Sequence, residues 1–269
     1  MKTVLVTGAS SGIGLATAVA AGRAGYLPIG TVRRPDGDLA LREAAEKAGV
    51  YVDVVSLELT DTDSVQACVR SVIALHGRLD AVVNNAGVAG TGATVELSTM
   101  ESLRAAMEVN FFGVVALTRA AMPHLRTTGG RLVTVSSVRG VIGQPFHEGY
   151  SAAKFAVEGF MEALAPVAAQ VGVTVSLIEP AAVLGTASRI DAIPVPDGPY
   201  ADAYRHFVGT AGRPVGGTQL AAEVADVVVR ALTADAPPLR IQTSDYARRY
   251  VARKLADIDG TAVTRSWHR

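Results

Sequence analysis

The sequence predicts an α/β fold, one domain built as a doubly wound parallel sheet with helices on both faces. Three observations carry this. Apolar runs of five or six residues alternate with helix-period segments along nearly the whole chain, and strands so apolar need both faces of their sheet covered. The first run turns directly into a glycine loop and then a helix. The 269 residues are 49% apolar and 19% charged, with no break in composition, which suits one large core better than two smaller ones.

Taken in order, Thr3 to Thr7 reads as a strand, and Ile13, Ala16, Ala20 and Ala24 recur at helical spacing between Gly12 and Ala24. Tyr26 to Val32 returns to strand character. Leu39 to Ala48 is a short helix with Glu43, Glu46 and Lys47 on its wet side. Tyr51 to Leu57 is the next strand, and Asp61 is placed to cap a helix reaching His76. Strands at Leu79 to Val83, Arg131 to Ser136 and Val173 to Ile178 alternate with long helices at Met100 to Leu125 and Gly149 to Val171. Gln219 to Leu232 is helical, Leu239 to Gln242 is a last short strand, and the tail is helical to Asp257. Parallel strands joined this way need right-handed crossovers, and two βαβαβ halves meeting near their midpoint make a Rossmann-like fold. Between Ala187 and Gly217 four prolines surround Tyr204, His206 and Phe207. That stretch, 187–217, reads as a substrate-binding loop or lid within the single domain 1–269.

Composition excludes several classes. Lys plus Arg and Asp plus Glu are 25 each, so no bulk basic field draws nucleic acid or an anionic membrane. Cys68 is the one cysteine, which forbids an internal disulfide and fits a reducing compartment. The N-terminus lacks the long apolar stretch of a signal peptide, and the best candidate span, Val109 to Leu125, is interrupted by Asn110, Arg119 and Pro123. A cytoplasmic protein without a membrane span is expected. No His/Cys/Asp cluster has ligand spacing, so no metal is expected.

Gly8-Ala9-Ser10-Ser11-Gly12-Ile13-Gly14 lies between the first strand and the first helix. Glycines there let the backbone turn tightly against a diphosphate, while the helix N-terminus offers free N–H groups and positive potential. The second strand runs into Arg33 and Arg34, with no carboxylate before Asp36. A site selecting NAD normally has a carboxylate here for the ribose. A guanidinium suits a 2′-phosphate instead, with the Ser10 hydroxyl able to assist, so NADP(H) is expected over NAD(H).

TGASSGIG (Thr7 to Gly14), NNAG (Asn84 to Gly87), VNFFG around Asn110, VSSVRG around Ser137, and Tyr150-Ser151-Ala152-Ala153-Lys154 occur in that order. Together they resemble the short-chain dehydrogenase/reductase family, closely over about residues 2–187. The resemblance implies a dinucleotide site formed by Gly8, Ser10, Ser11, Gly12, Ile13, Gly14, Arg33, Glu58, Leu59, Asn85, Ala86, Gly87, Tyr150, Lys154, Pro180, Val183 and Thr186. It implies a catalytic set of Asn110, Ser137, Tyr150 and Lys154, in which Asn110 holds a water linking Lys154 to solvent. Two positions depart from the family: Glu58 stands where an Asp is usual near the adenine, and Ala181 replaces a glycine after the sixth strand.

The residues support that chemistry on their own. Tyr150 and Lys154 are four apart and share one helix face, and a neighbouring ammonium favours an ionised phenol. Lys154 can also hold the nicotinamide ribose. Ser137 ends the fifth strand, where parallel sheets hold ligands, and can donate to a substrate oxygen. Ser136 points to the opposite face by strand alternation.

The stretch from Ser137 to Ala165 looks closest to 17β-hydroxysteroid and retinol dehydrogenases. Ile142, Gln144, His147, Tyr204 and Phe207, with Ser137 and Tyr150, are the candidate substrate contacts. They suit a bulky, mainly apolar ketone or secondary alcohol, with polyketide-like ketones as credible as steroids. The alternatives are a retinol-like alcohol dehydrogenase and a catalytically silent nucleotide-binding regulator, the latter opposed by the intact catalytic set. Phe111, Phe112, Val115 and Phe160 on the long helices suggest a homodimer or homotetramer.

Overall fold

The computed structural model describes residues 1–89, 93–184, 198–211 and 218–259. Among them, seven strands run parallel: β1 (Lys2–Val6), β2 (Tyr26–Val32), β3 (Asp53–Ser56), β4 (Ala81–Asn84), β5 (Arg131–Val135), β6 (Thr174–Glu179) and β7 (Arg240–Gln242). Their order is β3-β2-β1-β4-β5-β6-β7. The chain winds outward from β1, returns to the centre at β4 and winds the other way. This reversal opens a crevice at the carboxyl ends of β1 and β4, where such sheets bind ligands.

Strand residues alternate between two cores. Leu5, Val82, Leu132 and Leu177 enter the layer under α3 (Thr62–His76), α5 (Gly113–Thr128) and α6 (Glu148–Ala169), meeting Val69, Leu117, Leu125, Val157 and Met161. Val4, Val6, Val83, Val133 and Ile178 face the opposite layer of α1 (Gly12–Arg23), α2 (Leu39–Ala48) and α8 (Ala221–Thr233). Both faces being apolar is why these strands read as unbroken hydrophobic runs. Each buried Leu or Val contributes about 1.5–3 kcal/mol. The expected cap on α3 forms: the Asp61 carboxylate accepts from the backbone N–H groups of Asp63 (2.9 Å) and Ser64 (3.3 Å).

Three features differ from the sequence pattern. The helix starting at Met100 continues to Thr128 but changes pitch: α4 (Met100–Met107) passes into a π turn at Glu108–Phe112 before α5. By length and composition this continuous helix could cross a bilayer, yet Val114, Leu117, Ala121 and Leu125 are buried in the core, so its apolar stripe already has a partner. Second, the segment expected to be a loop or lid contains a helix, α7 (Ala201–Ala211). Its Tyr204 and Phe207 pack on Phe146, three and four residues being the spacing that puts side chains on one helix face. Third, the C-terminal helix α9 (Asp245–Ala256) folds back onto the turn after β5, with Ala247 and Val251 against Val138.

Candidate active site

The glycine loop is tied to the loop after β4. The Thr7 hydroxyl oxygen accepts from the backbone N–H groups of Asn85 and Ala86, both at 2.9 Å, and the Asn85 amide donates to the Thr7 carbonyl at 2.8 Å. Gly8 has φ of +67°, and a Cβ on Gly14 would lie 2.2 Å from the Gly8 carbonyl oxygen and 2.5 Å from the Asn85 amide nitrogen. Close backbone approach therefore requires glycine at both positions. The Ser11 side chain makes no cap hydrogen bond to α1, and the first turn of that helix holds no acid. Its N–H groups and positive end remain available to a diphosphate, beside exposed Ser10 and half-buried Ile13. These residues fit a dinucleotide.

At the end of β2, Arg33 is exposed and makes no ion pair among the described residues, while Arg34 pairs weakly with Asp36 at 3.8 Å. The Glu58 carboxylate turns back onto its own loop, accepting from Thr60 N–H (3.1 Å) and the Thr60 hydroxyl (2.9 Å). Leu59 is buried in the core, its Cβ and backbone carbonyl packed against Gly113. Pro180 is buried, and its carbonyl accepts from Val138 N–H at 3.0 Å; half-buried Val183 bridges in parallel to Gln219. Thr186 lies outside the described residues, as do 187–197 and 212–217 of the expected lid.

Asn110 sits in the π turn, fully buried. Its amide donates to the carbonyls of Val88 (3.0 Å) and Ala106 (2.9 Å), and its oxygen accepts from Val88 N–H (3.2 Å). The wider turn is what aims this side chain at the β4 loop, a common use of π turns. A Cβ on Gly87 would fall 2.6 Å from the Asn110 oxygen and 3.9 Å from Lys154 Nζ. The β4 loop, the π turn and α6 therefore meet at one point.

Lys154 is buried, its ammonium donating to the Val135 carbonyl at 3.0 Å and lying 5.7 Å from the Tyr150 ring centre. Ser137 is extended at the end of β5; its oxygen accepts from Arg139 N–H at 3.1 Å and reaches the Pro180 carbonyl only at 3.5 Å. Arg139, which sequence reasoning passed over, places its guanidinium 5.7 Å from the Tyr150 ring centre. Its position two residues after Ser137 was the signal available.

Around Tyr150 the remaining candidates separate. His147 is buried and lines a narrow cleft, open in part to solvent, together with Ala89, Ser98, Ser102, Phe146, Glu148 and Tyr150. Burial first, then the Arg139 charge, lowers the His147 pKa to about 3, so the ring is neutral. The Ala89 backbone acts on the ring as a hydrogen-bond partner and opposes this shift. Gln144 is half-buried with its side-chain oxygen unpartnered. Ile142, Tyr204 and Phe207 are buried, Tyr204 meeting Phe146 edge to face and Phe207 meeting it at a tilt, at ring separations of 5.0 and 5.5 Å. Phe146 itself has φ of +59°, a conformation costing on the order of 1–3 kcal/mol, held by those two rings.

The family model described as short chain dehydrogenase matches residues 2–193. The 3-ketodihydrosphingosine reductase of Bacteroides thetaiotaomicron is 38% identical over 66% of this chain and 63% of its own length. Retinol dehydrogenase 8 of Bos taurus is 34% identical over 99% of this chain and 89% of its length. The mouse 17-beta-hydroxysteroid dehydrogenase type 1 is 33% identical, covering 98% and 80%. Among solved structures, a short-chain dehydrogenase from Streptomyces avermitilis superposes with a TM-score of 0.81 at 33% identity, over 98% of this chain and 96% of that one. An alcohol dehydrogenase from Thermococcus sibiricus, complexed with 5-hydroxy-NADP, gives 0.73 at 26%, covering 90% and 95%. With the glycine crevice and the parallel sheet accounted for, this chain belongs to the short-chain dehydrogenase family of nicotinamide-dependent oxidoreductases.

Proposed function

We propose that the protein is an NADPH-dependent oxidoreductase that interconverts a bulky, mainly apolar ketone and its secondary alcohol. One observation carries this reading: Lys154 reaches the Val135 carbonyl at the end of β5, two residues before Ser137, and lies 5.7 Å from the Tyr150 ring, with Asn110 and Gly87 beside it. When bound, the nicotinamide dinucleotide supplies the hydride for reduction and accepts it for oxidation. Gly8, Ser10, Ser11, Gly12, Ile13 and Gly14 would hold its diphosphate side, with Asn85, Ala86 and Gly87 opposite and Pro180, Val183 and Thr186 along the far wall.

Tyr150 gives a proton to the carbonyl oxygen in reduction and takes it back in oxidation. Ser137 donates to the same oxygen; its 3.5 Å contact with Pro180 is long enough to leave the O–H free to turn. The Lys154 ammonium supplies positive charge where the phenol becomes negative. Asn110 anchors the loop beside Lys154 and can hold a water there.

Exposed Arg33, without a carboxylate partner among the described residues, supports a 2′-phosphate, as does the NADP analogue bound by the Thermococcus enzyme. Buried Ile142, Phe146, Tyr204 and Phe207 support an apolar substrate. The names of the relatives support a substrate of the sphingoid, retinoid or steroid type. Retinol-like alcohol oxidation, the second reading, uses the same groups in reverse and is favoured by the match to retinol dehydrogenase 8. Exposed Phe112 on the π turn and Val167 on α6 support a homo-oligomer, which light scattering on the purified chain tests.

The testing experiment follows NADPH and NADH absorbance separately over a panel of bulky ketones and alcohols, with Y150F as control. NADPH-dependent turnover lost in Y150F is the expected result. A strong NADH preference would overturn the cofactor assignment, and silence in both directions would favour a nucleotide-binding regulator.

A further inference from the structure

Two cations approach Tyr150, and the proposed reaction gives a task to only one of them. Lys154 on α6 and Arg139 on the turn after β5 both lie 5.7 Å from the ring centre. The turn that carries Arg139 is closely held. The Ser137 hydroxyl oxygen accepts from Arg139 N–H at 3.1 Å, and the Ser137 carbonyl accepts from Gly140 N–H at 2.8 Å. A Cβ on Gly140 would lie 2.8 Å from the Ser136 hydroxyl oxygen and 3.1 Å from the Lys154 carbonyl oxygen, so the turn sits directly on α6. From the other side α9 closes over it, with Ala247 and Val251 on Val138 and Tyr250 against the same cluster. Arg139 is left half-buried; burial pulls its guanidinium below the usual range, and the Tyr150 and Tyr250 phenols oppose that pull. Among the described residues it makes no ion pair, so no carboxylate neutralises its charge.

We propose that Arg139 is a positioning residue for the proton transfer, a second cation that shares with Lys154 the negative charge appearing on the Tyr150 phenol. The inference rests on the oxidoreductase reading and deepens it. In reduction the Tyr150 O–H bond breaks, its proton forms the new O–H bond of the alcohol as the carbon gains hydride, and the electron pair stays on the phenol. In oxidation the phenol anion takes that proton back. A cation 5.7 Å from the ring in a half-buried site favours the anion, with less screening than on an open surface. A guanidinium does so without competing for the proton, because it stays charged. Two other ionisable groups share the cleft with Tyr150. His147 is neutral, and Glu148, whose carboxylate accepts from the Thr94 hydroxyl at 2.9 Å, has the opposite sign. The rest of that lining holds no ionisable side chain.

The experiment titrates phenolate absorbance in wild type, R139M, R139Q and R139K from neutral to alkaline pH. Each chain is read as the ultraviolet difference from the same chain carrying Y150F, which isolates Tyr150 and needs neither dinucleotide nor substrate. In R139M and R139Q the signal is expected to appear about one pH unit higher than in the wild type, the low end for an opposite charge at this range because Arg139 keeps some water. R139K, which keeps the charge, should recover most of that shift. Oxidation of dodecan-4-ol with NADP⁺ should follow, the rise of kcat/KM with pH moving up by the same amount and the neutral variants being about tenfold slower near pH 7. An unmoved phenolate signal in both neutral variants overturns the assignment. So does an R139K that shifts as far as R139M, which would place the effect in shape rather than charge. If the signal is unmoved while alcohols and ketones turn over, Arg139 fails and the oxidoreductase reading stands. If the signal shifts but no ketone or alcohol turns over with either dinucleotide, that reading fails while the coupling of Arg139 to Tyr150 stands.

Discussion

The two halves of the crevice are built on opposite plans. On the dinucleotide side, between β1 and β4, polar groups satisfy one another: Thr7, Asn85 and Ala86 close a small network, and glycines bring backbone against backbone. On the substrate side, from β5 to β7 and α6, they do so only in part: Arg240 and Gln242 hold Glu158 and Glu179 by one oxygen each, while other atoms are left over. Six of the nine buried side-chain atoms lacking a hydrogen-bond partner among the described residues belong to Ser136, Gln144, His147, Glu158 and Glu179. Phe146 is strained there as well. Self-sufficiency suits a cradle for one invariant ligand, whereas unmet groups and strain suit a wall completed by a variable one.

The steepest break in this contrast is Y150F. It is expected to lower kcat by about 10²–10⁴-fold with dinucleotide affinity, read by fluorescence titration, little changed. Loss of both together would mean the two halves are one unit. G14A attacks the other side, since its methyl group has the Gly8 carbonyl 2.2 Å away. Dinucleotide Kd should rise by about a hundredfold through the displaced loop, and an unchanged Kd would show that the network yields.

Glu179 sharpens the comparison through pH. It ends β6 fully buried, its carboxyl receiving one hydrogen bond from Gln242 (3.0 Å), with Arg240 bridging it and Glu158. Burial lifts its pKa from 4.5 to about 7; the Gln242 hydrogen bond and Arg240 oppose this, and the Glu158 charge adds to it. The folded state thus keeps this proton to higher pH than the unfolded chain. The stabilisation is complete below about pH 4.5 and is lost as pH rises through about 7, by on the order of 3 kcal/mol. Urea unfolding of wild type and E179Q at pH 4.5 and 8 should show their stability difference shift by that amount, and a constant difference would contradict it. The smallest effect is at the rim. R33A should reduce the NADPH-over-NADH ratio in kcat/KM by about tenfold, whereas R34A, whose partner Asp36 is as exposed as itself, should change it little.

Much of this was legible in the chain. Asp61 reads as a cap and forms one, because the Asx side chain and its N–H partners are two and three residues apart. Tyr150 and Lys154 share a helix face for the same local reason. The helix at 201–211 was hidden by its proline-rich surroundings, although Tyr204 and Phe207 carried the spacing. Arg139 was hidden more thoroughly: its neighbours Tyr150 and Tyr250 come from α6 and α9, up to 111 residues away in the chain.

By itself the sequence determined what depends on neighbours along the chain: apolar strands alternating with helices, the glycine turn, the caps and the tyrosine–lysine pair. Hydrogen bonds and periodicities spanning a few residues suffice for these. The tertiary structure decided what depends on which groups meet. The π turn aims Asn110 at Gly87, and α9 folds over Val138. Buried polar atoms such as those of His147 and Glu179 are left to find partners or go without. Desolvation and charge act through space, and only the folded chain sets those distances.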